Sequence, residues 1–290
     1  MLNVIVLNNK SNTLLINCNN KGLLLDTGYD FEDTIKIIQY LRDTNIKLEV
    51  VIVSHYHKDH IQGVSLIKKN FPNVIFYSSD ITRIIYENDW LESYLYENLV
   101  DTRHNIDVKF NILGESFNFY NNRIDILKSS GHCRGNLIFK IGDYLFCPDI
   151  IISDSNFLPF VSDVASYLKE IDYLKGIDNV NNIVLTHNKE IMSLNSFCTA
   201  LDNTKIIIEK SVDKIFELVG ERCNFRELLM NAVLTNNRTR CYNTNISKEQ
   251  LGYTIFVIKN ILKYLEEKGK IKIIYNNSIT IERVIIWLKN

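Results

Sequence analysis

The chain opens with short apolar, β-branched runs separated by polar Asn, Lys and Gly turns, so Asn3–Leu7, Thr13–Asn17 and Gly22–Asp26 read as strands. The period then changes. Phe31, Ile35, Ile38 and Leu41 fall on one helical stripe, which predicts a helix over Phe31–Arg42 with Asp30 as its N-cap. Val50–Val53 is a continuous apolar run of strand length and reads as a buried strand. A helix over Gly63–Lys69, a strand at Asn73–Tyr77 and a helix over Asp80–Val100 follow. A second strand-rich block holds Ser116–Tyr120, Ile124–Lys128, Leu137–Ile141 and Tyr144–Cys147. It ends with a helix over Val161–Lys175 and a strand at Asn182–Leu185. Each block includes helices that could cover a sheet. Two sheets back to back with helices outside, a four-layer αββα sandwich of the α/β class, satisfy the pattern, although the pattern alone does not select it over other α/β arrangements.

Beyond residue 203 the character shifts. Lys205–Val219, Phe225–Leu234 and Lys248–Gly269 read as helices, followed by strands at Lys270–Tyr275 and Ser278–Ile285 around the turn residues Asn276 and Asn277. Three helices and a terminal hairpin give the order of a winged-helix module. The expected division is 1–203 and 204–290. Charge divides there as well: residues 1–203 carry 18 Lys and Arg against 25 Asp and Glu, and residues 204–290 carry 15 against 9.

Composition sets wider bounds. The 290 residues are 46% hydrophobic and 23% charged with a formal net charge of -1, which fits a globular chain and excludes a uniformly basic nucleic-acid coat. No apolar run approaches the roughly 18 residues needed to cross a bilayer. The stretch MLNVIVLNNK lacks the basic and long apolar parts of a secretory signal. Six cysteines, none in a CxxC pair, suit a reduced compartment, so a cytoplasmic protein is expected.

Three of the six histidines crowd one short window, Val53-Ser54-His55-Tyr56-His57-Lys58-Asp59-His60, directly after the buried strand. Alternate residues at a strand end point the same way, so His55 and His57 can converge on one point. Asp59 and His60 can face a second point as the chain turns into a helix. Imidazole and carboxylate are donors that zinc and related divalent ions take. Lys58 in this window, Arg134 and Asn136 near His132, and Lys189 near His187 are candidates for an anionic group, with a solvated or structural role the simpler reading.

The His-x-His-x-Asp-His pattern resembles the signature of the metallo-β-lactamase superfamily. Further stretches resemble that family's remaining motifs in order: Leu25-Asp26-Thr27-Gly28, Ser130-Gly131-His132-Cys133-Arg134-Gly135, Gly142 to Asp149, and Leu185-Thr186-His187. The resemblance covers residues 1 to about 200. The C-terminal part is loosely similar to the winged-helix tail of one branch. The resemblance implies the αββα fold and a two-ion centre, most simply zinc, with iron or manganese as alternatives. His55, His57 and His132 would hold one ion. Asp59, His60 and His187 would hold the other, and Asp149 would bridge them. Asp26 would support the ligand loop by hydrogen bonds. Asp59, the expected catalytic residue, would fix the second ion and orient a metal-bound hydroxide. His104 has no place in this set. Cys133 and Cys147 read as small packing residues.

The implied activity is hydrolysis of a small ester, thioester or lactone. Ile152, at a position where lactone-opening members carry Tyr, counts against a dedicated lactonase. Alternatives are a single-strand nuclease, to which the basic C-terminal part would contribute, a mononuclear iron persulfide dioxygenase, and a non-enzymatic metal sensor. The expected partner is a small-molecule substrate, with nucleic acid not favoured, no membrane, and a homodimer as an open option.

Overall fold

The computed structural model describes residues 2–88, 90–95, 108–152, 158–239, 247–275 and 284–288. Two sheets face each other. The first is ordered β1 (Leu2–Leu7), β2 (Thr13–Cys18), β3 (Lys21–Leu25), β4 (Lys47–Ile52), β5 (Ile75–Ser78) and β6 (Phe110–Ile112). Its first three strands pair antiparallel, and β3 through β6 pair parallel. The second sheet contains β7 (Ser116–Phe119), β8 (Asn122–Ser129), β9 (Asn136–Ile141), β10 (Tyr144–Cys147) and β11 (Asn182–Leu185), ordered β11-β10-β9-β8-β7. Only the β10–β11 pair in it is parallel.

Strand alternation explains the layering. On β2 and β3, Leu14, Ile16, Leu23 and Leu25 point between the sheets. They meet Ile124, Ile126, Leu137, Phe139 and Phe146 of the second sheet. Leu15, Leu24 and Val51 point outward and are covered by Ile37, Ile38 and Leu41 of α1 (Phe31–Asp43) and Ile67 of α3 (Val64–Asn70). On the far side, Ile138, Leu145, Cys147 and Ile183 are covered by Tyr167 and Ile171 of α6 (Val164–Lys175) and by Phe197 and Leu201 of α7 (Leu194–Val219). Each such aliphatic side chain removed from water contributes about 1.5–3 kcal/mol. The order helix, sheet, sheet, helix is the expected αββα sandwich.

The C-terminal region packs on that outer helical layer. α8 (Phe225–Thr239) and α9 (Lys248–Glu267) contribute Leu228, Ile258, Ile261 and Leu265 to the cluster that holds α6 and α7. A small sheet orders β12 (Arg222–Asn224), β14 (Val284–Leu288) and β13 (Ile271–Tyr275).

Several elements differ from expectation for local reasons. α7 starts at Leu194, capped by Ser193, well before the expected Lys205, because its buried stripe Phe197, Leu201, Thr204, Ile208 runs unbroken through residues 203 and 204. The helix expected over Asp80–Val100 comprises α4 (Asp80–Glu87) and α5 (Trp90–Leu95), with Asn88 as the C-cap of α4. Residues 96–107, including His104, lie outside the described residues, as do Cys241, Asn276 and Asn277. β6 and β12 were not expected; each has three residues and no apolar period to announce it.

Candidate metal centre

The site lies at the ends of strands from both sheets. β4 ends at Ile52 and delivers His55 and His57, and α2 (Lys58–Ile61) carries Asp59 and His60. His132 sits in the loop between β8 and β9, Asp149 just past β10, and His187 just past β11. Asp26, one residue past β3, and Asp149 both have positive φ, 63° and 54°. That conformation is uncommon for residues with a side chain, and Asp tolerates it better than most.

These side chains converge in two groups. The donor atoms of His55, His57 and His132, together with the Cys133 sulfur, lie within 4.8 Å of one another. So do those of Asp59, His60, Asp149 and His187. His57 Nδ1 is 3.0 Å from His55 Nε2 and 2.9 Å from His132 Nε2. Asp149 spans both groups. Its Oδ2 is 3.5 Å from His55 Nε2, 3.3 Å from His132 Nε2 and 3.2 Å from His60 Nε2, while its Oδ1 is 3.3 Å from His187 Nε2. Asp59 Oδ2 reaches His60 Nε2 at 3.3 Å and His187 Nε2 at 3.2 Å.

The surrounding hydrogen bonds fix which nitrogen faces inward. His60 Nδ1 donates to Asp26 Oδ2 at 2.8 Å, which leaves Nε2 for the centre. The Ser54 hydroxyl donates to the same oxygen at 2.8 Å and lies 3.0 Å from His55 Nδ1, a geometry suited to accepting its proton. Ser54 N donates to Asp26 Oδ1 at 2.7 Å. Thr186 Oγ1 donates to Asp149 Oδ1 at 2.8 Å and accepts from Asp149 N at 3.1 Å. Thr27 N and Oγ1 both donate to the His60 carbonyl, at 3.0 and 2.8 Å. Asn12 N donates to the Thr186 carbonyl at 2.7 Å, tying the turn after β1 to the segment bearing His187.

The loop carrying His132 is held from below by α6. Glu170 accepts from Ser130 N at 2.5 Å, from Gly131 N at 3.1 Å and from Ser129 Oγ at 2.9 Å. A Cβ on Gly131 would lie 2.5 Å from the Tyr167 Cα, so this approach of loop to helix requires glycine. Burial pushes the Glu170 carboxyl above its ordinary range, with the three donors pulling partly back.

Electrostatics divide the centre. Burial, aided by the neighbouring His60 charge, lowers His55 to about 4; burial also holds His57 well below its ordinary value. His55 and His57 are therefore neutral. On the other side burial opposes charge, yet Asp59, Asp149 and Asp26 together raise His60 well above its ordinary value. Hydrogen bonds to Asp149 and Asp59 push His187 up to about 10. Asp59 and Asp149 are held well below the carboxylate range: burial opposes the charge, and the His60 charge and the imidazole contacts prevail. The donor set fits divalent cations. Three imidazoles face one point, and a carboxylate-rich cluster, which otherwise recruits protons, demands positive charge at the other.

All seven residues expected as ligands are thus brought together. Of the flanking polar candidates, Lys58, Arg134 and Lys189 are exposed, and Asn136 is buried, donating to the Pro148 carbonyl at 3.1 Å. Cys147 is buried in the outer core and its thiol is pushed up by burial. Cys133 packs with Tyr56 and Ile85 while its sulfur lies beside the first histidine group. Ser54, Thr186 and Glu170 were not anticipated. The first two sit inside stretches that carry the motif and were open to the same reading; Glu170 had no local signal.

Known proteins resemble this chain in sequence and in fold. The family model described as metallo-beta-lactamase superfamily matches residues 8–187. Hydroxyacylglutathione hydrolase 1 of Vibrio vulnificus is 26% identical over 180 residues, 60% of each chain. The hydroxyacylglutathione hydrolase of Buchnera aphidicola is 22% identical over 63% of each chain. The chain thus spans about three fifths of the length of these relatives. That of Blochmanniella pennsylvanica is 24% identical over 81% of this chain and 84% of its own. Among solved structures, a metallo-beta-lactamase family protein of Thermus thermophilus superposes with a TM-score of 0.69 at 13% identity, covering 99% of this chain and 98% of the other.

Proposed function

Because the chain belongs to the metallo-beta-lactamase superfamily, we propose that its two donor groups hold two divalent ions, zinc foremost, and that it hydrolyses a small ester, thioester or lactone. The convergence of seven imidazole and carboxylate donors on two adjacent points carries this reading. A thioester is the leading choice within that set, since the curated relatives carry the name hydroxyacylglutathione hydrolase. On this reading residues 1–203 supply the chemistry and residues 204–290 form a winged-helix-like unit packed on it.

His55, His57 and His132 would hold the first ion, and Asp59, His60 and His187 the second, with Asp149 shared by the two groups. The bound ions would lower the pKa of water toward neutrality and polarise the substrate carbonyl. Asp26 keeps His60 in the tautomer that offers Nε2, and Ser54 does the same for His55. Thr186 fixes the Asp149 carboxylate in rotation, so both of its oxygens stay within reach of the two histidine groups. Asp59 is one-quarter exposed and is the carboxylate of the centre best placed to orient the attacking water. Cys133 is not required as a nucleophile in this scheme.

The test is elemental analysis of protein purified without added metal, beside a panel of thioesters, esters and lactones with and without a chelator. About two zinc ions per chain and chelator-sensitive acyl hydrolysis are expected. Iron with oxygen uptake on a persulfide, or cleavage of single-stranded RNA without acyl hydrolysis, would replace the proposal with one of the alternatives.

A further inference from the structure

An aromatic cluster drawn from two distant parts of the chain abuts the centre through Phe160. Phe160, in the segment leading into α6, sets its ring 5.2 Å from that of His57 and 5.3 Å from that of His132, centroid to centroid. Two residues of α9 contact it. Phe256 stacks on Phe160 at 5.3 Å with an interplanar angle of 18°, and Tyr253 meets it edge-on at 5.7 Å. Tyr253 and Phe256 are three residues apart and so share a helix face. The opposite stripe of α9 (Ile255, Ile258, Ile261, Leu262 and Leu265) is buried in the core. Asn260 donates from α9 to the Val161 carbonyl at 3.3 Å, pinning the helix to the Phe160 segment. All three aromatic residues are half-buried. The other end of the centre differs: His187 is 47% exposed, beside the exposed Lys189.

We infer that Phe160, Tyr253 and Phe256 form an acyl-binding wall, so that the substrate is a thioester or ester with a bulky apolar acyl group, aryl or branched alkyl, whose leaving group departs past His187. The inference rests on the hydrolase reading and adds the substrate class and orientation to it. Aromatic faces at this spacing accept an aryl group by offset or edge contact, and an apolar pocket distinguishes acyl groups by size. A charged or strongly hydrated acyl group would lose water against these rings without a polar partner from them. The reaction is a simple hydrolysis. The water oxygen bonds to the acyl carbon and the carbon–sulfur bond breaks. One water proton goes to the departing thiolate, and the acyl group leaves as a carboxylic acid.

The test separates the wall from the chemistry by measuring binding first. The metal-loaded full chain is titrated calorimetrically with S-benzyl- and S-ethyl-N-acetylcysteamine, thioethers that cannot be hydrolysed. The wild-type protein is expected to bind the benzyl compound at least about tenfold more tightly, within the range one apolar group commands in a pocket. Phe256→Ala should reduce that ratio to below about threefold, and Phe256→Leu should recover part of it. Metal content and circular dichroism of each variant report whether it has folded. The benzoyl-to-acetyl ratio of kcat/KM on the corresponding thioesters should follow the binding ratio. Benzyl-selective binding that depends on Phe256, with no thioester cleaved, would uphold the wall and refute the hydrolase reading. Thioester cleavage with equal kcat/KM for both acyl groups, unchanged in Phe256→Ala, would overturn the wall and leave the hydrolase reading intact. Loss of RNA oligonucleotide binding in Phe256→Ala, with no thioether discrimination in the wild type, would overturn it in favour of base stacking.

Discussion

Glu170 touches none of the seven donors, yet it grips the loop that presents His132, and its removal should be felt at the centre. In Glu170→Ala the amides of Ser130 and Gly131 and the Ser129 hydroxyl lose their shared acceptor. An orphaned buried donor costs about 1–3 kcal/mol, and a bond to a charged acceptor is worth about 1.5–3 kcal/mol. Glu170 is only partly buried, so water replaces some of this, and a net loss of about 1–3 kcal/mol is expected. At roughly 2–4 °C per kcal/mol for a chain somewhat smaller than this one, Tm should fall by several degrees. The larger consequence is at His132, whose loop is then free to rotate. Loss of such supporting contacts typically weakens metal binding about 10–100-fold. Glu170→Gln keeps one acceptor oxygen and should lie between the two. The carboxyl is raised above its unfolded value, so its contribution is complete below the ordinary carboxylate pKa and is lost as pH rises through the folded pKa. The glutamine variant should accordingly lose less stability, relative to wild type, at neutral pH than at pH 4. The assays are thermal melting and metal titration against a chromophoric chelator. Unchanged metal affinity in Glu170→Ala, with or without a drop in Tm, would refute the argument that α6 positions His132.

Three further outcomes follow from the geometry. Asp26→Asn preserves a residue type tolerant of positive φ but leaves a buried amide donor facing the Ser54 and His60 donors, so metal affinity should fall about 10–100-fold and Tm should fall with it, measured by the same titration and melt. Gly131→Ala places a methyl against the Tyr167 backbone and should cost about 1–3 kcal/mol in urea unfolding together with metal affinity; a neutral substitution would show that the loop does not pack as described. His187 in metal-free protein has a folded pKa near 10, raised by Asp149 and Asp59. Its contribution is full below the unfolded value of about 6.5 and is lost as pH rises through 10, so the urea midpoint of metal-free protein should decline between pH 7 and 10, less so in His187→Gln.

The sequence was most legible where a local period or cap sets the structure. Asp30 caps α1 and accepts from Asp33 N as its position suggested, and the apolar alternation of β2 and β3 assigned side chains to the two faces of the first sheet. It was least legible where an element depends on a distant partner. β6 is three residues with two exposed, and it exists because Phe110 pairs beside Phe76 of β5. The start of α7 was missed because the change of composition near residue 203 outweighed a stripe that continues through it. At the centre, His55, His57, Asp59 and His60 declare themselves by spacing within one turn of chain. His132, Asp149 and His187 have no local signal and emerged only through resemblance to a family. Glu170, Phe160 and the α9 aromatics had neither, since contacts that join residue 160 to residues 253 and 256 leave no periodic trace in sequence.

The claim beneath the whole account is that two cations share the space around Asp149. Crystals grown from protein purified without added metal, measured on either side of the zinc absorption edge, address it directly. Two anomalous peaks roughly 3.5–4 Å apart are predicted, one among His55, His57 and His132 and one among Asp59, His60 and His187. No anomalous density there, or a lone ion held away from Asp149, would contradict the account.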